Sequence, residues 1–520
     1  METAEHSKPN PPTLGQKTAR ALLWNFIGRL GIMGGRGIEN LLLVWLLGAA
    51  GYGVFSATTN LFGILLPFTA LGLKEALSRF LPEMENGGVD SRPWLRKVLL
   101  FRAGVCLAVM VVMVIFARTI AFEQLKDAEH WPLVVMAAAM VLIHGVRDVQ
   151  FRVLVARFRQ KYLNAVQVGE LFGYLALALI LIFVGAGIFG ALVAMAAAGI
   201  VVTVLATIKI RKTQPQADIA GGKQGPTLRR MIAFSGAFYG YELLNTVLQK
   251  HLDIFLISQL HDDIRQVGYY TTAYLLAYMA VSISGKALAE GITLTIVAEA
   301  RAGGDDERLR KIYLLLLEYL YIFTFPAIAG IYAIGGPLLG LVYGGKMNGA
   351  VLPVMVFLPA MALAKMGGLT ATFLAGLDRE RIMVLGRVVF GSVNIVLNFV
   401  LIPKYGALGA VIATSIATGV GAAFELIVLQ VILHPRYPWG YFLKMTVTSV
   451  GIFLVARLID DYLPIPEVPR LALAVVGGVA VYLIGLVVLR PISADNIRLA
   501  GSLKLPGQRW ILKLLAPKNK

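Results

Sequence analysis

The feature that most constrains this chain is its first long apolar stretch, about Ala19 to Leu47, which is long enough to span a bilayer yet contains Arg29, Arg36 and Glu39. A spanning helix needs about 20 mostly apolar residues, and a charge near its middle costs at least about 2.5 kcal/mol on insertion scales. Arg29 and Arg36 fall two helical turns apart on one face, about 10 Å along the axis, and Asn25 extends that polar stripe by a turn. Arginine stays charged at any attainable pH and presents a planar fork of donors. The pair must therefore face a water-filled cavity, a partner or an anionic ligand, and the ligand is the expectation adopted here.

With 58% hydrophobic and 15% charged residues and a mean hydropathy of +0.73, the chain has too little polar surface for a soluble globule. It reads as an all-α polytopic membrane protein. The net charge of +18 does not point to nucleic acid, because the basic residues are scattered over short loops between apolar spans instead of gathered with aromatics in one patch. A single cysteine, Cys106, excludes a disulfide framework or a cysteine metal cluster within the chain. The polar N-terminal residues followed by a long, charged span fit a retained helix better than a signal peptide.

Apolar periodicity marks about fourteen transmembrane helices, at about 20–48, 52–73, 98–121, 131–153, 162–184, 188–210, 231–259, 268–297, 312–334, 349–375, 382–402, 408–433, 440–460 and 469–490. Most of the 48 Lys and Arg fall on the side that holds both termini, so the positive-inside rule makes that side cytoplasmic. Gly51-Tyr52 opening the second span matches Gly268-Tyr269 opening the eighth. Gly187-Ile188-Phe189-Gly190-Ala191 likewise matches Gly406-Ala407-Leu408-Gly409-Ala410 at nearly the same offset. The expected plan is two six-helix lobes related by a parallel repeat, with any ligand site between them. It comprises a cytoplasmic tail (1–19), an N-lobe (20–210), a cytoplasmic linker (211–228), a C-lobe (229–434), two extra C-terminal helices (435–490) and a basic amphipathic cytoplasmic tail (491–520) suited to anionic membrane lipids.

Further charges lie inside spans. Span seven places Glu242, Asn245, Gln249 and Asp253 on one face with Lys250 beside them, span eight carries Tyr274, Tyr278, Ser282, Lys286 and Glu290 at helical steps, and span ten holds Lys365. Lys250 with Asp253, and Lys286 with Glu290, allow two readings: self-neutralised pairs that help helices pack, or walls of a polar cavity. Arg29 has no acid one turn away, whereas Arg36 has Glu39. Arg102 and Arg147, near inner span ends, are expected to snorkel. Candidate substrate-binding residues are thus Arg29, Arg36, Asn25, Lys250, Lys286 and Lys365, and candidates for coupling or ion pairing are Glu39, Glu242, Asp253 and Glu290. The chain has no GxxxxGK[ST] phosphate loop, no HExxH and no clustered Cys/His, so no ATPase, metal, cofactor or catalytic residue is expected.

Several blocks resemble the polysaccharide-exporter branch of the multidrug/oligosaccharidyl-lipid/polysaccharide exporter superfamily, the oligosaccharide-lipid flippases. They are Trp24-Asn25, Gly51 to Ser56, Leu71-Gly72-Leu73 with Ala76 to Phe80, Leu252-Asp253, Val267 to Tyr270 with Ala273-Tyr274, Asn394 to Asn398 through Pro403, and Tyr405 to Ala410 with Ala413-Thr414. The resemblance implies a two-lobed carrier that flips an isoprenoid-diphosphate-linked oligosaccharide to the outer leaflet of a bacterial inner membrane. Basic residues in the first helix of each lobe, here Arg29, Arg36 and Lys250, would receive the diphosphate, and spans 13 and 14 would make a groove for the lipid tail. Glycosyltransferases and a polysaccharide polymerase are the implied partners. The rival readings are a cation-coupled multidrug exporter of the same superfamily and a membrane glycan polymerase.

Overall fold

The computed structural model describes residues 14–214, 246–289, 306–377 and 379–491, with positions 227, 229, 230, 236, 239, 240, 243, 244 and 297 between them. Glu242 and Glu290, most of the expected linker and nearly all of the C-terminal tail lie outside the described residues, as do the side chains of Asn25, Arg29 and Lys286. Among the described residues the ordered structure is entirely helical. The first helices are α1 (Leu14–Ala70), α2 (Leu73–Asn86), α3 (Arg92–Ile115), α4 (Ala117–Leu125), α5 (Trp131–Ala156), α6 (Gln160–Leu181) and α7 (Gly187–Lys212). A π turn at Val247–His251 leads into α8 (Leu252–Leu260), followed by α9 (Arg265–Ala289), α10 (Asp306–Tyr343), α11 (Asn348–Gly376), α12 (Glu380–Leu433), α13 (Trp439–Tyr462) and α14 (Glu467–Leu489).

Nine helical segments among the described residues are long and apolar enough to cross a membrane. Three of them, Gly31–Ala70, Gln160–Lys212 and Arg381–Leu433, run for 40, 53 and 53 residues. At about 1.5 Å per residue, each is far longer than a hydrocarbon core of about 30 Å. Each is broken by glycine at positive φ: Gly48 (71°), Gly185 (98°) with Gly187 (50°), and Gly406 (53°). A side chain is strained at such angles, so glycine lets the helix turn without a loop. The repeat-related Gly187 and Gly406 share one backbone conformation, with ψ of −135° and −124°. The second glycine of each motif allows the close return: a Cβ on Gly190 would meet Leu181 Cβ at 2.9 Å, and one on Gly409 the Leu401 carbonyl oxygen at 2.3 Å.

The chain divides into two compact units. The first comprises Met1–Glu39, Leu65–Ala117 and Pro132–Gly240. In it, α2 follows a turn at Leu71 and Gly72, both at positive φ, and buries Leu73, Ala76, Leu77, Phe80, Leu81 and Met84 against Trp94, Leu95 and Val98 of α3 and Val149 and Val153 of α5. The expected spans leave 74–97 as a connection, but it holds this helix, whose apolar residues recur at helical spacing. Arg157 reaches across to Glu85 at 2.7 Å and to the Ile210 carbonyl at 2.9 Å, so it joins α5 to α2 and α7.

Arg102 does not snorkel. Its side chain is 1% exposed, donates to the carbonyls of Gly145 and Leu66 at 3.3 Å each, and lies 3.8 Å from Asp148, which also pairs with Lys74 at 3.2 Å. Leu66 stands in the last turns of α1, where a helix gathers partial negative charge, so a buried cation is stabilised there. Arg102 fits because α3 and α5 approach closely: a Cβ on Gly145 would sit 2.3 Å from Cys106 Sγ.

The second unit comprises Asn40–Ile64, Arg118–Trp131 and Tyr241–Lys520. Here the two Gly-Tyr motifs meet. A Cβ on Gly53 would fall 2.2 Å from the Ile264 carbonyl oxygen, and one on Gly268 would fall 2.9 Å from that of Ala49. The helices α13 and α14 join the rest of the unit through α10, burying Tyr441, Met445 and Leu486 with Ile322, and Ala456, Leu471 and Ala474 with Ala333 and Ile334. Tyr441 and Tyr482 donate to the Glu318 and Ile322 carbonyls at 2.5 and 2.8 Å.

Gly145→Ala should therefore lower the thermal stability of purified protein by overpacking the α3/α5 contact, at a cost of about 1–3 kcal/mol. Cys106→Ala in the same chain should restore most of the loss, because it removes the clashing atom; a melting series over the four variants measures both effects.

Candidate functional site

In the first unit, Arg36 and Glu39 share one face of α1, a helical turn apart. Arg36 Nη1 donates to Glu39 Oε2 at 2.6 Å, and Tyr174 of α6 donates to Glu39 Oε1 at 3.2 Å. The two ends of this pair differ in exposure: the Arg36 side chain is 52% exposed and the Glu39 side chain 7%. Glycine allows the approach that makes this possible, since a Cβ on Gly35 would lie 2.3 Å from Leu171 Cδ2 of α6. Glu39 is thus fixed from behind by a tyrosine. It holds one amino group of Arg36 and leaves the rest of the guanidinium fork open to a ligand.

One turn along α6, Glu170 pairs with Arg147 of α5, whose Nη2 lies 2.6 Å from His144 Nδ1. Both members of that pair are 16% exposed. Arg147 therefore reaches a partner across the helix interface and does not snorkel. Sequence spacing ties a residue to its own helix, so it could not find Tyr174 for Glu39 or Glu170 for Arg147.

Among the described residues of the second unit, Asp253 on α8 is the most deeply buried acid, with no exposure. Its carboxylate accepts from Tyr270 of α9 at 2.6 Å and from Asn398 and Thr414 of α12 at 2.7 and 2.5 Å. Asn398 also donates to Asn394 Oδ1 at 3.1 Å, and Asn394 donates to Thr414 at 3.0 Å. The Asn398 carbonyl oxygen is buried with no hydrogen-bond partner among the described residues. One carboxylate, two amide oxygens and a hydroxyl form an all-oxygen set of the kind hard cations favour. The orphaned Asn398 oxygen fits such an ion. No group of three His, Cys, Asp or Glu that could hold a metal occurs among the described residues.

Lys250 precedes Asp253 by less than a turn but lies in the π turn. Such a turn closes i→i+5 bonds and adds a residue to the helix, so the single polar face expected from Glu242 to Asp253 does not run through it at regular spacing. Lys250 instead stands over the Tyr274 ring at 5.9 Å. Tyr274 stacks on Tyr278, with centroids 5.9 Å apart and planes 8° from parallel, and Lys365 of α11 stands over Tyr278 at 4.9 Å. Lys250 and Lys365 are thus brought to one aromatic column on α9. Arg36 and Glu39 belong to the first unit, and Glu242, Glu290 and the side chains of Asn25, Arg29 and Lys286 lie outside the described residues.

The family model described as polysaccharide biosynthesis protein matches residues 42–352. The probable flippase AglR of Haloferax volcanii is 26% identical over 246 residues, which make up 46% of this chain and 49% of AglR. The lipid II flippase MurJ of Bacillus subtilis is 24% identical over 180 residues, 34% of this chain and 32% of MurJ. The chain thus spans about half the length of one of these curated relatives and about a third of the other. Among solved structures, a lipid II flippase MurJ in an inward closed conformation superimposes with a TM-score of 0.70 at 15% identity, over 89% of this chain and 98% of that one. An inward-facing multidrug resistance MATE family transporter of the MOP superfamily gives 0.61 at 14% identity, over 79% and 98%. At these identities the likeness shows the fold. With more than half of its length matched, the chain belongs to the polysaccharide biosynthesis protein family, as a multi-pass membrane protein with the fold of MOP superfamily transporters.

Proposed function

We propose that the protein is a flippase that receives an isoprenoid-diphosphate-linked oligosaccharide at the cytoplasmic face of a bacterial inner membrane and releases it in the outer leaflet by alternating access, for surface polysaccharide biosynthesis. The observation that carries this reading is the half-exposed guanidinium of Arg36, anchored by a buried Glu39 that Tyr174 holds in place. A cation fixed in this way inside a membrane-length helix receives an anion without first having to be ordered. Arginine also matches the paired oxygens of phosphate. Arg29 extends the same stripe, and Lys250, Lys286 and Lys365 are the basic residues offered by the later helices. The flippases among its relatives, AglR and MurJ, support the same class of activity.

In this reading both termini are cytoplasmic, glycosyltransferases supply the substrate and a polymerase consumes it. An anion leaving a negative interior gains about 2.3 kcal/mol per uncompensated charge per 100 mV, so the membrane potential favours export. Asp253 is the coupling candidate, because its carboxylate joins α8, α9 and α12. A hard cation on these oxygens would compensate the carboxylate charge. Emptying the site would leave that charge on Tyr270, Asn398 and Thr414 alone.

Arg36→Gln should reduce surface polysaccharide about 10-fold or more at equal membrane protein level, the size expected for one charge-assisted contact of about 1.5–3 kcal/mol; Arg36→Lys should retain part of the activity. Unchanged export in Arg36→Gln would remove the anion receptor, and drug resistance conferred by the wild type would turn the reading toward multidrug export. Asp253→Asn should abolish the response of lipid-linked glycan transport to an imposed sodium or proton gradient in proteoliposomes while leaving substrate binding within about twofold. A gradient response equal to the wild type would exclude Asp253 from coupling.

A further inference from the structure

Arg147 and Glu170 have no part in the anion receptor at Arg36, yet they belong to the same unit and stand beside it. Gly31 and Gly35, one turn apart on α1, let that helix close on α6. A Cβ at Gly31 would lie 3.3 Å from Val168 Cγ2, and one at Gly35 would lie 2.3 Å from Leu171 Cδ2. Arg36 follows Gly35 and Glu170 precedes Leu171, so this contact sets them at one level, where the charges of Arg36, Glu170 and Arg147 act on one another. Two ion pairs therefore adjoin, Arg36 with Glu39 and Arg147 with Glu170.

The two carboxylates are held differently. Glu39 is 7% exposed and accepts from both Arg36 and Tyr174, so it is fixed from two sides. Glu170 is 16% exposed, and Arg147 is the one hydrogen-bond donor it meets among the described residues. Arg147 has more than Glu170 to hold it: Nη2 lies 2.6 Å from His144 Nδ1, and the guanidinium stands over the Phe151 ring at 5.3 Å. When Glu170 swings away, Arg147 stays in place and its Nη1 is vacated. A diphosphate esterified at both ends carries a charge on each phosphate. Arg36, already paired along one edge, matches one of them, and the adjoining cation matches the other.

We infer that Arg147 is the second half of the diphosphate receptor and that Glu170 is its built-in competitor, a carboxylate that occupies Arg147 until a phosphate displaces it. The inference rests on the flippase reading and adds how the receptor lets its ligand go: the carboxylate displaced on binding returns on release. The test uses the full-length protein in lipid nanodiscs, with isoprenoid diphosphate, the uncharged isoprenoid alcohol and inorganic diphosphate as probes. Glu170→Gln should bind isoprenoid diphosphate about 10-fold more tightly than the wild type and release it more slowly, the effect of one charge-assisted contact of about 1.4 kcal/mol. Glu170→Asp, which keeps the competing charge, should stay within about threefold of the wild type. Arg147→Gln should weaken isoprenoid diphosphate about 10-fold. Glu170→Gln added to it should give no tightening, because the contact that the carboxylate blocks is gone. Affinity for the alcohol should be the same in every variant.

An ion pair that only holds α5 to α6 predicts the opposite sign. Weaker or unchanged binding in Glu170→Gln therefore overturns the inference, and if Arg36→Gln still weakens the diphosphate the flippase reading stands without it. If Glu170→Gln leaves Arg147 unpaired and does not fold, isoprenoid diphosphate present during purification should restore it by taking the vacated contact; failure of that rescue also overturns the inference. Inorganic diphosphate bound through Arg36 and Arg147, with no binding of the isoprenoid diphosphate, would keep the receptor and refute the flippase reading instead.

Discussion

The need to satisfy ionised groups in an apolar interior is the constraint on which the internal order of both units depends. An unpaired charge there is costly enough to reorganise the packing around it, and the chain answers by drawing partners from other helices. Asp253 gathers donors from α9 and α12, Arg102 takes carbonyls from α1 and α5, and Arg157 links α5 to α2 and α7. Lipid tails provide little hydrophobic force between helices, so such polar contacts and close glycine packing fix which helices are neighbours. The contacts at Gly35, Gly53 and Gly145 are the packing side of the same requirement.

Arg36 and Lys365 show two ways of ordering a cation inside a helical membrane protein. Glu39 fixes the Arg36 guanidinium by one edge, at the expense of some of its charge. Tyr278 holds Lys365 by a ring face, which orders the ammonium. The first arrangement fixes the direction of the guanidinium and leaves half of the side chain exposed.

Much of this was legible in the sequence. The all-helical, membrane-spanning character expected from apolar periodicity holds among the described residues, where nine segments are long and apolar enough to cross a membrane, and the two Gly-x-x-Gly motifs mark the tight turns at Gly187 and Gly406. The pairing of Arg36 with Glu39 followed from helical spacing alone. Less legible was anything that depends on the neighbour across an interface. Periodicity places Arg102 a turn from a span end, whereas its burial depends on partners on other helices, the carbonyls of Leu66 and Gly145 and the carboxylate of Asp148. Spacing put Lys250 beside Asp253, but a π turn separates their surroundings, and nothing in the local sequence announces that turn. The amphipathic α2 is hard to read for a different reason: Lys74 and Arg79 within it, and Arg92, Arg96 and Lys97 after it, satisfy the topology rule and mask its apolar stripe.

The glycine turns also bear on how this chain can change over time. At Gly48, Gly185 to Gly187 and Gly406 one helix passes into the next with almost no connecting loop. One inserted residue there would turn the following helix by about 100° about its axis, moving its polar and apolar faces together. Loops ordinarily absorb length variation, but these turns have no slack. Insertions, tags and grafted epitopes belong elsewhere in the chain, and variation at these turns is confined to substitutions that keep the left-handed backbone.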